Sequence, residues 1–518
     1  MIQRVAGKEL GELLNRVPES SWMADASSVV ASTIIDSITP DSRKCRPGTM
    51  FVAIPGTRVD GTNYIADAVH AGASCVVARS WRPEAGNVPF IISPDPRRFL
   101  SLISQAFFDF PARRMAMIGI TGTSGKTSTA YMIRRMLDGV GEPSVMIGTT
   151  GYLMPDGQLY PPDALPATTP EPFALNWYLD TGIRAGARIA VLEVSSFALA
   201  YERVFGMQFD CAVFTNFSED HLGYHGSMQE YMAAKQRLFH SMENRGVAVL
   251  NRDDPAYEAF REAAGTSTIV AYSSQTDADL EATKIVSDGG ITRFDVRAAD
   301  GDEARVTLSV GPAYQASNCL AAIGAVRSIL PGRKLEELTR PLCASLYIPG
   351  RYERIDCGQP YEVVVDYAHT PEEFAALFAA VRETIRGDMI AVFGSVGADD
   401  RKKRPLMAAI AERECTWSYV TVEDPRGEDA GIAIRDIVAG FSRQCFTIIE
   451  DRRRAIREAI AAAQPGDAVL ILGRGHETIM YYESGEVILD DRVEARNALR
   501  ESGYVGCTCD EKRNEEVP

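Results

Sequence analysis

The stretch 118–129 reads I-G-I-T-G-T-S-G-K-T-S-T, an apolar run followed by a glycine-rich turn and polar residues able to open a helix. These types in this order suit a phosphate. Gly122 and Gly125, with Thr123 and Ser124 between them, let the backbone N–H groups of the turn close around an anion. Lys126 brings a point charge to the distal phosphates, and the Thr127 hydroxyl, just ahead of Ser128, can hold Mg²⁺. The strand-like M-A-M-I-G-I (115–120) and helix-like Y-M-I-R-R-M-L (131–137) supply the flanks such a loop requires. Ile120 stands where the full G-x-x-x-x-G-K-[ST] pattern has its first glycine, so this is a shorter T-G-T-x-G-K-T form. ATP binding is the implied function.

Further polar groups stand at the ends of apolar runs. Glu193 closes the run I-A-V-L-E-V (189–194), where a carboxylate can complete Mg²⁺ coordination opposite Thr127. The segment 214–239 crowds Asp220, His221, Tyr224 and His225 into a loop ahead of a helix that bears Lys235. Two of the chain's 6 histidines fall there within five positions, a concentration that suits metal, phosphate or acid–base work. Four later loops, V-V-D-Y-A-H-T-P (364–371), G-S-V-G-A-D-D-R-K-K-R-P (394–405), E-D-P-R (423–426) and G-R-G-H-E (473–477), each follow an apolar run. They make a rim carrying both signs of charge, which fits a zwitterion such as an amino acid.

The elements that must carry these loops follow from the pattern between them. At 518 residues the chain has room for about three domains. Hydrophobic residues at 46% and charged residues at 24% describe a globular protein. The net charge of −16 speaks against a nucleic-acid backbone as partner. No apolar run is long enough to span a bilayer and no signal-like segment opens the chain, so a cytoplasmic protein without membrane insertion is expected. The ten cysteines lack C-x-x-C spacing and are expected to be reduced, with Cys507 and Cys509 in a frayed polar tail. Residues 1–110 read as mixed α/β, with helices near 8–16 and 65–73 and a strand at 74–78. Strands at 211–215 and 247–250 join 189–194 in the second part, residues 111–347, which a β-rich stretch at 281–311 interrupts. In the third part, 348–518, strands at 362–366, 389–394, 417–422 and 468–473 alternate with helices. Fully apolar strands separated by helices predict parallel sheets covered on both faces, with ligands at the carboxyl ends of the strands.

The motifs T-G-T-S-G-K-T, T-T-P-E, L-E-V-S-S-F-A-L, F-T-N-F-S-E-D-H-L-G-Y-H-G, D-Y-A-H-T-P, K-K-R-P and G-R-G-H-E occur here in the order of the Mur ligases. The chain most resembles the MurE type, which adds the third residue of the peptidoglycan stem peptide to UDP-N-acetylmuramoyl-L-Ala-D-Glu. The D-S-R at 41–43 and I-P-G-T-R-V-D-G-T-N-Y at 54–64 are similar to that family's uridine-binding module. The resemblance implies an α/β fold of three domains: UDP-binding (1–110), a central phosphate-loop ATPase domain (111–347) and a Rossmann-like amino-acid-binding domain (348–518).

It also implies roles. Gly122 to Ser128 would hold ATP together with Asn318, Arg351, Asp366 and His369. Thr127 and Glu193 would share one Mg²⁺ and His221 would ligate a second. Lys235 matches a lysine that the family carbamylates to N6-carboxylysine; with Lys126, Glu193 and His221 it makes up the implied catalytic set. Ser42, Arg43, Thr168, Thr169, Ser195 and Arg203 match positions that bind the UDP substrate, and Glu423, Asp424, Arg426, Gly473 and Glu477 positions that hold the incoming amino acid. The expected partners are therefore the UDP-N-acetylmuramoyl dipeptide, ATP and a free amino acid, handled by a monomer.

Three positions depart from the pattern. Phe197 replaces the histidine of E-V-S-S-H. E-D-P-R, with Glu423 and Asp424, stands for D-N-P-R or D-N-P-A. Asp399 occupies the place of an arginine that meets the acceptor's carboxylate, unless Arg401 takes over that contact. meso-Diaminopimelate is the expected acceptor because Arg426 can pair with a distal carboxylate that lysine lacks. L-Lysine or another amino acid remains the alternative, as does a folylpolyglutamate or cyanophycin type of ligase.

Overall fold

The computed structural model describes residues 5–24, 31–56, 60–161, 167–242, 246–288, 290–344, 346–397 and 400–506. Three main sheets organise it. The first has five strands in the order Met23–Ala24, Phe90–Ile92, Cys75–Ala78, Thr49–Val52, Ser37–Thr39. The expected helices over 8–16 and 65–73 form as Leu10–Leu14 and Ile65–His70. A longer helix, Pro96–Phe107, begins on Asp95, whose carboxylate accepts from the amides of Arg97 and Arg98, with proline at its first position. Phe107 packs edge-on and Phe108 tilted against Phe173, fusing this part to the second core.

The central sheet runs through eleven strands. Its phosphate-loop strand Ala116–Thr121 lies in the middle, between Ile189–Glu193 and Cys211–Phe214, and is parallel to both. Neither neighbour follows it directly in sequence, so the chain reverses direction across the sheet there and opens the crevice in which α/β sheets bind ligands. One face is covered by helices Lys126–Gly139, Gln315–Ile329 and Leu335–Ala344. The other is covered by Pro172–Arg184, Met228–His240 and Tyr257–Ala263. The β-rich stretch becomes an antiparallel meander, Leu280–Asp288, Ile291–Ala298 and Glu303–Leu308, continuing the same sheet. Its alternating burial shows one face on the core and one in solvent.

The third sheet has the order Glu353–Arg354, Glu362–Asp366, Ala468–Leu472, Met389–Phe393, Trp417–Val420, Phe446–Ile448 and is parallel except at its first strand. The four expected strands fall within a residue or two of their predicted ends because each is a run of buried apolar residues. No helix among the described residues is long and apolar enough to cross a membrane.

The cysteine expectation needs one correction. Cys45, Cys75, Cys211, Cys319, Cys343, Cys415 and Cys445 are free thiols, but Cys357 is disulfide-bonded. Residues 504–506 pack beside it: the Gly506 amide donates to the Cys357 carbonyl at 3.1 Å, and Tyr504 meets Tyr361 edge-on. The tail with Cys507 and Cys509 lies outside the described residues.

Candidate active site

The phosphate loop is built by close approach. Gly122 (φ 152°) and Gly125 (φ 83°) turn the chain from strand to helix. A Cβ on Gly122 would lie 1.9 Å from Thr215 Oγ1, and one on Gly125 would lie 2.4 Å from Asn318 Oδ1. The neighbouring strand end braces the loop: the Ser124 amide donates to Asn216 Oδ1 at 2.9 Å, and Thr215 Oγ1 and Asn216 Nδ2 donate to the Ser124 carbonyl at 2.6 and 3.0 Å. Lys126 Nζ donates to the carbonyls of Gly122 and Thr123 at 2.9 and 2.7 Å. Burial lowers its pKa, against the opposing pull of Glu193, Asp220 and Glu373.

Glu193 is fully buried and stands where the sequence placed it, opposite Thr127. It accepts from Thr127 Oγ1 at 2.9 Å and from the amide and hydroxyl of Thr149 at 3.1 and 3.0 Å. Gly148 makes room for it, since a Cβ there would meet Glu193 Oε1 at 2.0 Å. The Lys235 side chain is buried, with no carboxylate in ion-pair contact among the described residues. Its Nζ donates to the Gly122 carbonyl at 2.6 Å and lies 4.5 Å from the Tyr231 ring centre. Burial, and after it the nearby Lys126, push its pKa well down from the ordinary lysine range. His221, in a left-handed backbone conformation (φ 55°), faces Asp220 across 3.2 Å. His225 meets Ser196 Oγ at 3.0 Å and is held at a pKa of about 4 by burial and Lys235. Phe197, in the place of the family's histidine, packs on the rings of His221 and Tyr224.

Most of these groups line one cleft of about 660 Å³ between the central and third sheets; Gly122, Glu193 and His225 stand outside its lining. Gly125 to Ser128, Thr123, Ser124, Asn318, Arg351, Asp366 and His369 line it, as do His221, Lys235, Thr168, Ser195 and Arg203. Bonds cross it: Arg351 Nη2 donates to Thr127 Oγ1 at 3.3 Å, and His476 Nε2 meets the Thr149 carbonyl at 3.2 Å. Thr169 is not part of the lining. It is fully buried, donating to the Glu193 carbonyl at 2.8 Å and accepting from the Ser195 amide at 3.1 Å, which makes it a brace. Its carbonyl accepts from Arg203 Nη1 at 2.7 Å. Ser42 and Arg43 lie apart from the cleft in a turn capped by Asp41, with Arg43 exposed and paired to Asp41 at 2.8 Å. Residues 57–59 of the accompanying motif lie outside the described residues.

Of the acceptor set, Arg426 and Glu477 line the cleft, whereas Glu423, Asp424 and Gly473 stand behind it. Asp424 Oδ2 accepts from Arg426 Nε at 2.8 Å and its Oδ1 from the Tyr481 amide at 2.7 Å, so the extra negative charge expected at this position is already paired. Glu423 is buried with neither carboxylate oxygen hydrogen-bonded, and a Cβ on Gly473 would lie 2.3 Å from it. Burial raises the Glu477 pKa to about 7; Arg474 and Arg426 oppose the rise, and Glu423 and Asp424 add to it. Arg401 does not enter the pocket. It forms a two-point pair with Asp436 at 2.7 and 2.9 Å, and Asp399 lies outside the described residues. The loop G-R-G-H-E is held from below by buried arginines: Arg452 bridges Asp491 and the Leu472 carbonyl, while Arg474 reaches the carbonyls of Glu423, Ile479 and Leu489.

Sequence reasoning missed the bracing by Thr215 and Asn216, although both stand in the quoted F-T-N-F. It also missed Glu373, which accepts from Ser124 Oγ at 2.6 Å. Among the described residues no cluster of three or more His, Cys, Asp or Glu side chains forms a metal cage. The donors facing Thr127 are few and are oxygens, which fits Mg²⁺, an ion that keeps waters and takes substrate phosphate oxygens.

Family models match along most of the chain: "Mur ligase family, catalytic domain" over 34–108, "Mur ligase middle domain" over 120–326 and "Mur ligase, glutamate ligase domain" over 350–475. A UDP-N-acetylmuramoyl-L-alanyl-D-glutamate–2,6-diaminopimelate ligase of Thermosynechococcus vestitus is 39% identical over 90% of this chain and 93% of its own. The chain belongs to the Mur ligase family. A ligase of the same name from Geobacillus thermodenitrificans is 38% identical over 95% of this chain and 99% of its own. A UDP-N-acetylmuramyl-tripeptide synthetase of Roseiflexus sp. is 37% identical over 96% and 100%. Among solved structures, a UDP-N-acetylmuramoyl-L-alanyl-D-glutamate–2,6-diaminopimelate ligase superposes with a TM-score of 0.63 at 28% identity, covering 93% of this chain and 97% of that one. A MurF ligase from Thermotoga maritima in complex with ADP shares the Mur ligase fold at a TM-score of 0.61 and 18% identity, over 95% and 100%.

Proposed function

We propose that this chain is the ATP-dependent ligase that joins meso-diaminopimelate to the D-glutamate of UDP-N-acetylmuramoyl-L-Ala-D-Glu in peptidoglycan synthesis. The observation that carries the reading is the single cleft that unites the phosphate loop, Lys235 and the Arg426–Glu477 pair. A carboxylate is a poor electrophile at neutral pH, so the γ-phosphoryl of ATP goes to it first, giving an acyl phosphate. The amine of the incoming amino acid attacks the acyl carbon, and phosphate leaves as the amide forms. Lys126 offsets the repulsion between ATP and the carboxylate. Arg351, which already bonds Thr127, adds a second positive group on the same side, and closure of the third sheet's loops over the cleft keeps water from the acyl phosphate. Thr127 and Glu193 would hold Mg²⁺, and His221 with Asp220 a second ion; bound there, Mg²⁺ neutralises phosphate charge. Lys235, buried and with its pKa pushed down by that burial, is the amine that CO₂ converts to a carbamate with loss of a proton, giving an anion beside the cation site.

Residues 1–110 would bind uridine through Ser42 and Arg43, residues 111–347 ATP together with the sugar peptide at Thr168, Ser195 and Arg203, and residues 348–518 the amino acid. Arg426 keeps its terminal nitrogens for the acceptor's distal carboxylate, because Asp424 engages only Nε. The test is phosphate release with the UDP dipeptide, ATP and a panel of diaminopimelate, lysine and ornithine. Diaminopimelate is expected to lead by about ten- to a hundredfold in kcat/KM, the worth of one buried charged pair. Arg426→Ala should erase that margin. A wild-type preference for lysine or ornithine that Arg426→Ala leaves untouched refutes the acceptor while leaving the ligase chemistry standing.

A further inference from the structure

Glu373 stands in the nucleotide cleft and has no part in the reaction derived above. It is the third residue of helix Pro371–Thr384, and its amide donates to the capping Thr370 Oγ1 at 3.3 Å. In a capping box the side chain would turn back to the amide of the capping residue. Here Oε2 accepts instead from the amide of His369 at 2.9 Å and faces its Nδ1 at 3.3 Å. Oε1 is left to reach the central domain, where it accepts from the Ser124 hydroxyl of the phosphate loop at 2.6 Å. Burial works to raise the pKa of this carboxyl, but the His369 imidazole, the Ser124 hydroxyl, the His369 amide and Arg351 outweigh it and hold it at about 2. Its charge also acts on Lys126, alongside Glu193 and Asp220. An ionised carboxylate thus sits among a loop hydroxyl, the loop lysine and Arg351, the donors a nucleotide phosphate would use.

We propose that Glu373 is a positioning residue that stands in for phosphate: it holds the C-terminal domain on the phosphate loop before ATP arrives, and the terminal phosphate displaces it from Ser124. The inference rests on reading this loop as an ATP site. Two anions cannot share the Ser124 hydroxyl in a cleft of low dielectric. Nucleotide affinity is therefore set below what the loop alone would give. In exchange, the loops of the third sheet are already near the site when substrate binds. Displacing Glu373 also frees the start of its helix and the adjoining His369, so arrival of phosphate is passed directly to the domain that holds the amino acid.

The test is nucleotide binding to the full-length protein, with the β,γ-methylene analogue of ATP and ADP as probes. Glu373→Gln keeps an acceptor for Ser124 and removes the charge. It should bind the analogue on the order of tenfold more tightly than wild type, with a smaller gain for ADP. KM for ATP should fall in parallel while KM for the UDP substrate stays the same. Glu373→Ala removes the bridge as well, and without nucleotide it should show a larger radius of gyration in solution scattering than wild type. A Gln variant that binds the analogue no more tightly than wild type overturns the proposal. Wild type that binds neither probe overturns the ATP reading of the loop instead.

Discussion

Replacing Glu477 by glutamine tests the acceptor site through its charge. In the proposed acceptor site the carboxyl, which lines the cleft beside Arg426, would meet the distal ammonium of the amino acid, and burial raises its pKa to about 7. Only the ionised form pairs with an ammonium, so the competent fraction is about one in eleven at pH 6 and about ten in eleven at pH 8. KM for the amino acid should therefore be about tenfold higher at pH 6 than at pH 8. Both values lie below the range in which the substrate's own amines titrate. Glu477→Gln should raise KM at pH 8 by about ten- to a hundredfold, the cost of losing a charged hydrogen bond, and make it flat with pH. The sign of the stability effect follows from the same pKa. A carboxyl whose folded pKa lies above its unfolded value favours the fold fully below about pH 4.5, and that contribution is lost as pH rises through about 7. The advantage of glutamine in thermal unfolding should thus grow across this window to about 3 kcal/mol. The assay is initial phosphate release at varied amino acid and fixed saturating ATP and UDP dipeptide, from pH 6 to 8. A wild-type KM that does not change with pH, or a glutamine variant that keeps the slope, refutes the assignment of this carboxyl to the ammonium.

Lys126→Ala should reduce amide formation to background while binding of the UDP dipeptide, measured by calorimetry, stays near wild type; near-normal turnover would remove the loop from the mechanism. Lys235→Ala should be nearly inactive and partly rescued by short carboxylic acids that fill the carbamate's place, and mass spectrometry under native conditions should find 44 Da, the mass of CO₂, on wild type; full activity of the unrescued variant would defeat the assignment.

The chemistry that sequence could place is local. Strands such as Met389–Phe393 and Ala468–Leu472 are unbroken apolar runs, and the phosphate loop is contiguous, so its glycines, lysine and threonine declare themselves together. The Glu193–Thr127 meeting was legible because both residues end or follow strands that parallel pairing places side by side. What stayed hidden depends on distant partners. Thr169 reads like a substrate-binding hydroxyl beside Thr168, yet one of the two faces the core and the other the cleft. Asp424 reads as added negative charge, but Arg426 two positions on turns back to neutralise it. Glu373 looks like any acid in a first helical turn until the central domain is brought against it. Cys357 has no cysteine near it in sequence, so nothing in its neighbourhood announced that it is disulfide-bonded.

The bonds that cross the cleft, from Ser124 to Glu373, from Arg351 to Thr127 and from His476 to the Thr149 carbonyl, are made by residues at or next to the reacting groups. On the proposed mechanism, closure of the cleft and the chemistry therefore share the same residues. An alanine at Thr127 or Arg351 changes how often the molecule is shut as well as what happens once it is shut, so its lost rate is a product of two factors. Linking the two halves covalently away from the cleft would hold the first factor fixed, and the rate that such a tether restores to each variant is the portion that was never chemical.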